Sequence, residues 1–256
     1  MQSVSVRTKV FFTCALAAGF LIALLPGCSD NGKNTSLAYD SSPGSTVVRY
    51  WTGGGLSPPW VDNAPRFVLY GDGRVVYASG VRQNAPLKEG KLAPDQVESL
   101  LRSIRETGFF GLNDQYINRK VMDAASSDIT VNLKNDDKKV HVYMVDVKPY
   151  KQTVELLGQV KPADEYDYVP QAGYLVVRSE SQKDTRVIEP GSEAYSLIPD
   201  TATFQQSADG RKPIPIPGDS FIKLKQLESG QQYAGLVVTK DGQTFTLYPL
   251  YEPTGR

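Results

Sequence analysis

Two Asp-Gly pairs, Asp72-Gly73 and Asp241-Gly242, each stand between runs of apolar and β-branched residues, and they tie this chain to a fold made from antiparallel hairpins. Glycine accepts the positive φ that tight hairpin turns require, so Asp-Gly between alternating strands is a strong local hairpin signal. The first pair joins "RFVLY" to "RVVYAS", with "VVRYW" just upstream, and the second joins "GLVVTK" to "QTFTLY". A third hairpin is expected at "DITVNL", "KNDDK" and "KVHVYMV", where Ile129, Val131 and Leu133 alternate with polar residues, as do Val140, Val142 and Met144.

One helix interrupts this pattern. Val97, Leu100, Leu101 and Ile104 recur at i, i+3, i+4 and i+7 within "APDQVESLLRSIRETG", which predicts a helix from about Pro94 to Thr107. Pro94 suits its first turn, Asp95 suits the positive end of the helix dipole, and Gly108 stands where the helix stops. Phe109 and Phe110 follow and should lock that end into the core that the apolar face needs. A second, shorter helix is expected in "YKQTVELLGQV", with Val154, Leu157 and Leu156 inward.

Beyond "KPADEYDYVP" the segments "GYLVVRSE", "TRVIEP", "EAYSLIP", "SFIKLKQL", "YAGLVVTK" and "TFTLYPL" are short and broken by Pro or Gly, and they read as strands. "KPIPIPG" at 212–218 reads as an extended edge or connecting segment, because proline gives no N–H to a central ladder. The fold class expected is α+β: antiparallel β-hairpins with one packed helix, followed by a mostly β second unit. Its divisions are 1–27, a signal; 28–46, a lipidated cysteine and flexible tether; 47–160, an α+β domain; and 161–256, a β-rich domain or extension.

The first 28 residues fix location more than fold. Arg7 and Lys9 precede "VFFTCALAAGFLIALL", which carries no charge and ends at Pro26. A basic start and a short apolar stretch make an export signal, shorter than the roughly 20 residues of a spanning helix. Its end, Leu25, Gly27 and Cys28, resembles the lipobox of bacterial lipoproteins. That resemblance implies cleavage before Cys28 and acyl chains, palmitate among them, on Cys28. The partner is then the lipid bilayer, and the protein is exported and anchored to the outside of the cytoplasmic membrane or to the outer membrane. The alternatives at this point are an uncleaved single-pass anchor or an ordinary secretory signal.

Residues 29–46, rich in Ser, Asn, Asp and Gly, then read as the tether. The 28 basic and 28 acidic residues become 26 and 28 once Arg7 and Lys9 leave with the signal, which is no signature of nucleic-acid binding. Cys14 and Cys28 are the only cysteines, the first inside the signal and the second at the lipid site, so no disulfide is expected in the exported part. His141 is the only histidine, which excludes Cys/His zinc sets and multi-histidine centres within one chain. We expect no metal and no cofactor.

Catalytic groups are equally sparse. His141 falls opposite Val140 and Val142 in its strand, so it reads as a partly exposed sheet histidine, with a general base as the alternative; no G-x-S-x-G elbow accompanies it. "WTGGGLSPPW" lacks the G-K-[ST] of a phosphate loop. Trp51 and Trp60 at its ends pack into the core or else form a binding surface for a glycan or an envelope protein. Asp123, Asp128, Asp136 and Asp137 could serve as paired carboxylates, but aspartates in such stretches more often bond their own turn backbone. No catalytic residue is assigned.

"FVLYGDGRVVY", the helix ending in "GFF" and the "D…ITV" strand together resemble an uncharacterised domain of exported bacterial proteins, and "YVPQAGYLVV" and "TFTLYPLYEP" are similar to its longer members. The resemblance carries no activity. The expectation is a non-enzymatic, lipid-anchored envelope protein with a binding or structural role. Its alternatives are a carboxylate-dependent hydrolase of envelope glycans and a protein that modulates another envelope enzyme.

Overall fold

The structure, a computed structural model, describes residues 37–55, 64–80, 85–179, 186–200, 203–204, 213–228 and 235–251. Eight strands form the first sheet: β1 (Thr46–Gly54), β2 (Phe67–Tyr70), β3 (Arg74–Ala78), β4 (Leu87–Lys91), β5 (Gln115–Ile117), β6 (Ala125–Val131), β7 (Lys138–Tyr143) and β8 (Glu165–Asp167). They lie in the order β5-β7-β6-β1-β2-β3-β4-β8, antiparallel except for β5 beside β7. The turn at Asp72-Gly73 is as expected: Gly73 has φ 85°, and Arg74 N donates to Asp72 Oδ1 at 3.0 Å.

Helix α1 (Pro94–Glu106) buries Val97, Leu100, Leu101 and Ile104, the four residues whose spacing marked it. Ala93 has no side chain to cap the first turn, so Gln96 Oε1 accepts from the Ala93 N–H instead, at 2.8 Å. Gly108, at φ 84°, ends the helix, and the 3₁₀ turn Phe109–Gly111 puts Phe109 fully inside. Helix α2 (Lys148–Gln159) adds Tyr150, Thr153 and Leu157. Both helices cover the sheet face made by Val48, Phe67, Leu69, Val75, Ile129, Val131, Val140 and Val142.

Met144, expected to share that inward face, is 52% exposed, because its backbone turns to φ 52° directly after β7. Period-2 alternation fails where the strand ends.

The second sheet has the order β10-β12-β13-β9-β11, made of β9 (Ala172–Arg178), β10 (Arg186–Ile188), β11 (Ile214–Pro217), β12 (Leu236–Lys240) and β13 (Gln243–Tyr251). Its β12–β13 turn has both Asp241 and Gly242 at positive φ, the backbone that the Asp-Gly signal calls for. β11 occupies an edge, as its prolines require. Two segments expected as strands are helices: α3 (Glu193–Ser196), capped by the Ser192 hydroxyl, and α4 (Gly218–Glu228).

The α+β class therefore holds, with more helix in the second half than expected. The first sheet and the second core both cross the 160/161 division. β8 lies in the first sheet, while Val76 and Leu87, from β3 and β4, belong to the core under the second sheet. By its internal contacts Thr35–Arg256 is one compact unit.

Of the stretch expected as a tether, residues 37–46 lie against the fold. Leu37 and Tyr39 pack on the first core, and Lys134 N donates to the Ala38 carbonyl at 2.8 Å. The Asp40 carboxylate accepts from Ser42 N, Ser42 Oγ and Ser45 Oγ, which holds its pKa down at about 2. Because the folded value lies below the ordinary 3.8, this support is present above that value and is lost as the pH falls through about 2. The protection factor of the Ser42 amide, its exchange rate relative to the intrinsic rate at each pH, followed by NMR from pH 5 downward, should fall across that window. Unchanged protection at pH 2 would mean that the turn does not depend on the carboxylate.

Candidate functional site

The outer half of the first sheet, β1, β6, β7 and β5, turns a polar face away from the helices. Its registers set four residues side by side: Trp51 opposite Asp128, Asp128 opposite His141, and His141 opposite Gln115. Such cross-strand neighbours have side chains about 5 Å apart, so polar partners meet. His141 Nδ1 and Asp128 Oδ1 are 3.0 Å apart. A carboxylate only accepts, so Nδ1 carries the proton and donates, which leaves Nε2 as the acceptor of the neutral ring.

This corrects the reading of Asp128 as turn chemistry. It sits within β6, and its partner is across the ladder rather than in its own backbone. Asp136, of the same group, instead pairs with Arg105 on α1 at 2.9 Å. Asp123, at φ 57°, lies in the bend just before β6.

An open depression of about 640 Å³ adjoins this row, lined by Asp114, Gln115, Ile117, Asp128, Asp137, Lys138, Lys139 and His141. Lys138 Nζ donates to Asp114 Oδ1 at 2.7 Å across its rim. At the far end of β7, Tyr143 Oη donates to the Val121 carbonyl and accepts from Ala124 N, both at 3.1 Å, and so ties the 118–124 segment over the strand ends. Gly55, at φ 75°, allows this, since a Cβ there would meet Asp123 O at 3.0 Å.

The lining can bind polar groups but is poor in reactive ones. None of its eight residues is Ser, Thr, Cys or Tyr, so the imidazole has no hydroxyl or thiol there to activate. Glycoside hydrolysis by two carboxylates needs one of them neutral in an apolar setting. Asp114 is 80% exposed and ion-paired, Asp137 is exposed, and Asp128 is engaged by His141. Among the described residues no group of three or more His, Cys, Asp or Glu has metal-holding geometry.

Of the residues singled out in the sequence, Trp51 is half-buried in β1 and adjoins the Asp128–His141 pair. Trp60, and the lipobox residues Leu25, Gly27 and Cys28, lie outside the described residues. Sequence reasoning placed His141 on the correct face but missed Asp128 as its partner. The partner follows only from the register of the hairpin: Ile129 pairs with Val140, which puts Asp128 opposite His141.

A family model described as "Domain of unknown function (DUF6438)" matches residues 66–160, from just before β2 through α2. All eight residues of the depression fall inside that match, while β1 and the whole second sheet lie outside it. No curated protein matches this chain.

Proposed function

We propose that this chain is exported and held on a bilayer by acyl chains on Cys28, and that its folded part serves the envelope as a non-enzymatic binding or structural component. The observation that carries the reading is the run from Arg7 to Cys28: basic start, uncharged apolar stretch, then Leu25, Gly27 and Cys28 in order. Each buried CH₂ contributes about 0.8 kcal/mol, so two or three acyl chains hold the protein without a spanning helix. For the binding role the support is the open polar depression beside β5, whose character suits an envelope protein or glycan as ligand more than a reaction. No helix among the described residues is long and apolar enough to cross a membrane.

Metabolic labelling with a fatty-acid analogue tests the anchor. Wild type should carry label, and Cys28→Ser should carry none and accumulate as uncleaved precursor. Unlabelled wild type at mature size would reduce the first 28 residues to an ordinary signal and the protein to a freely secreted one. The binding role is tested separately by pull-down from crosslinked cells.

A further inference from the structure

Strand β5 ends the first sheet, and its backbone shows which groups it leaves for another chain. His141 N donates to Asp114 O and Asn118 N donates to Tyr143 O. Alternate residues of a strand face its neighbour, so Asp114, Tyr116 and Asn118 face β7 while Gln115 and Ile117 direct their N–H and C=O outward. The side chain there is not a protective lysine but Ile117, 44% exposed. Four of the seven large apolar side chains that the described residues expose, Ile117, Met122, Met144 and Val145, sit on this edge or in the segments bordering it. Exposure is thus concentrated at one place, which marks an interaction surface.

We propose that the edge β5 pairs with β5 of a second copy of this chain, antiparallel about a two-fold axis through Tyr116. Gln115 of each copy then faces Ile117 of the other, and the two pairs exchange four backbone hydrogen bonds. The charges select this partner. Asp114, 80% exposed although one of its oxygens accepts from Lys138 Nζ of its own chain, precedes the strand, and Arg119 and Lys120 follow it. In the antiparallel arrangement each copy's Asp114 lies beside the other's Arg119 and Lys120, whereas a parallel arrangement sets like charges together. The short charged edge that repels an arbitrary strand therefore complements itself. The result joins the two eight-stranded sheets edge to edge, an isologous contact that closes at two copies. It also brings both depressions to the same seam, since Gln115 and Ile117 line each of them.

Sedimentation velocity of the full chain in detergent, over a range of concentrations, provides the test. Wild type should show a concentration-dependent dimer, and Ile117→Lys should weaken it by about tenfold or more. Asp114→Lys and Lys120→Asp should each weaken it as separate preparations, with unchanged circular dichroism. Mixed together, the two variants should regain dimer, because at one end the lysine introduced at 114 meets the aspartate introduced at 120, and at the other end the native Asp114 meets the native Lys120. Monomeric wild type at all concentrations, a dimer unmoved by Ile117→Lys, or a mixture no better than its components would each overturn the pairing.

Discussion

Phe221→Ala is expected to lower stability by about 3 to 5 kcal/mol, the range for emptying a fully buried aromatic site. Phe221 is 0% exposed on α4, where its ring meets Tyr251 edge-on at 4.7 Å between centroids. Gly173 on β9 is what lets it in, for a Cβ at that position would stand 2.3 Å from the ring. Gly173→Ala should therefore also destabilise. The double variant should cost less than the two single ones added, because the added methyl occupies space that the ring has left. Urea melts of the four proteins give the coupling directly, and strict additivity would show that the glycine and the ring are not in competition.

This site lay in the part of the chain that sequence reasoning read least well, and the reason is physical. "SFIKLKQL" alternates apolar and polar residues over its middle, as a strand does. The buried side chains of α4, which contains it, are nevertheless Phe221, Leu224 and Glu228, spaced i, i+3, i+7 as on a helix. The third of these is a charged residue, so the apolar count that marks a helical face came up short. In α1 all four inward positions are aliphatic and the caps agree with them, and there the sequence suffices.

The hairpins were readable for a similar reason. Asp72-Gly73 and Asp241-Gly242 state both the turn and the strands it joins, while "KNDDK" sets a turn without setting its register. Without a register, Asp128 had no assigned partner, and the row from Trp51 through Asp128 and His141 to Gln115 could not be drawn. The packing of Val76 and Leu87 under the second sheet was likewise beyond local pattern, since "RVVYAS" does not say which element will cover its second face.

Glu228 on α4 also carries the second large effect. Its side chain is 6% exposed, that of Lys225 13%, and the two form an ion pair one turn apart on α4; Lys225 Nζ also donates to the Pro249 carbonyl at 3.2 Å. Breaking such a pair leaves one charge buried without compensation, so Glu228→Ala should cost about 3 to 5 kcal/mol. Replacing both partners at once removes two desolvation penalties together with one attraction. Lys225→Met with Glu228→Leu should accordingly match or exceed wild-type stability at pH 7.

The pH dependence has a definite sign. Burial raises the Glu228 pKa above the ordinary 4.5, with Lys225 only partly opposing it. The native state then holds this proton more tightly than the unfolded chain, so the contribution is full below 4.5 and is lost as the pH rises through the folded value. The stability of the double variant relative to wild type should therefore increase between pH 4 and pH 7, as measured by urea unfolding with the m-value checked for constancy. A double variant less stable than the Glu228→Ala single, or an advantage that shrinks as the pH rises, would show that the pair is held by attraction and not tolerated against its burial.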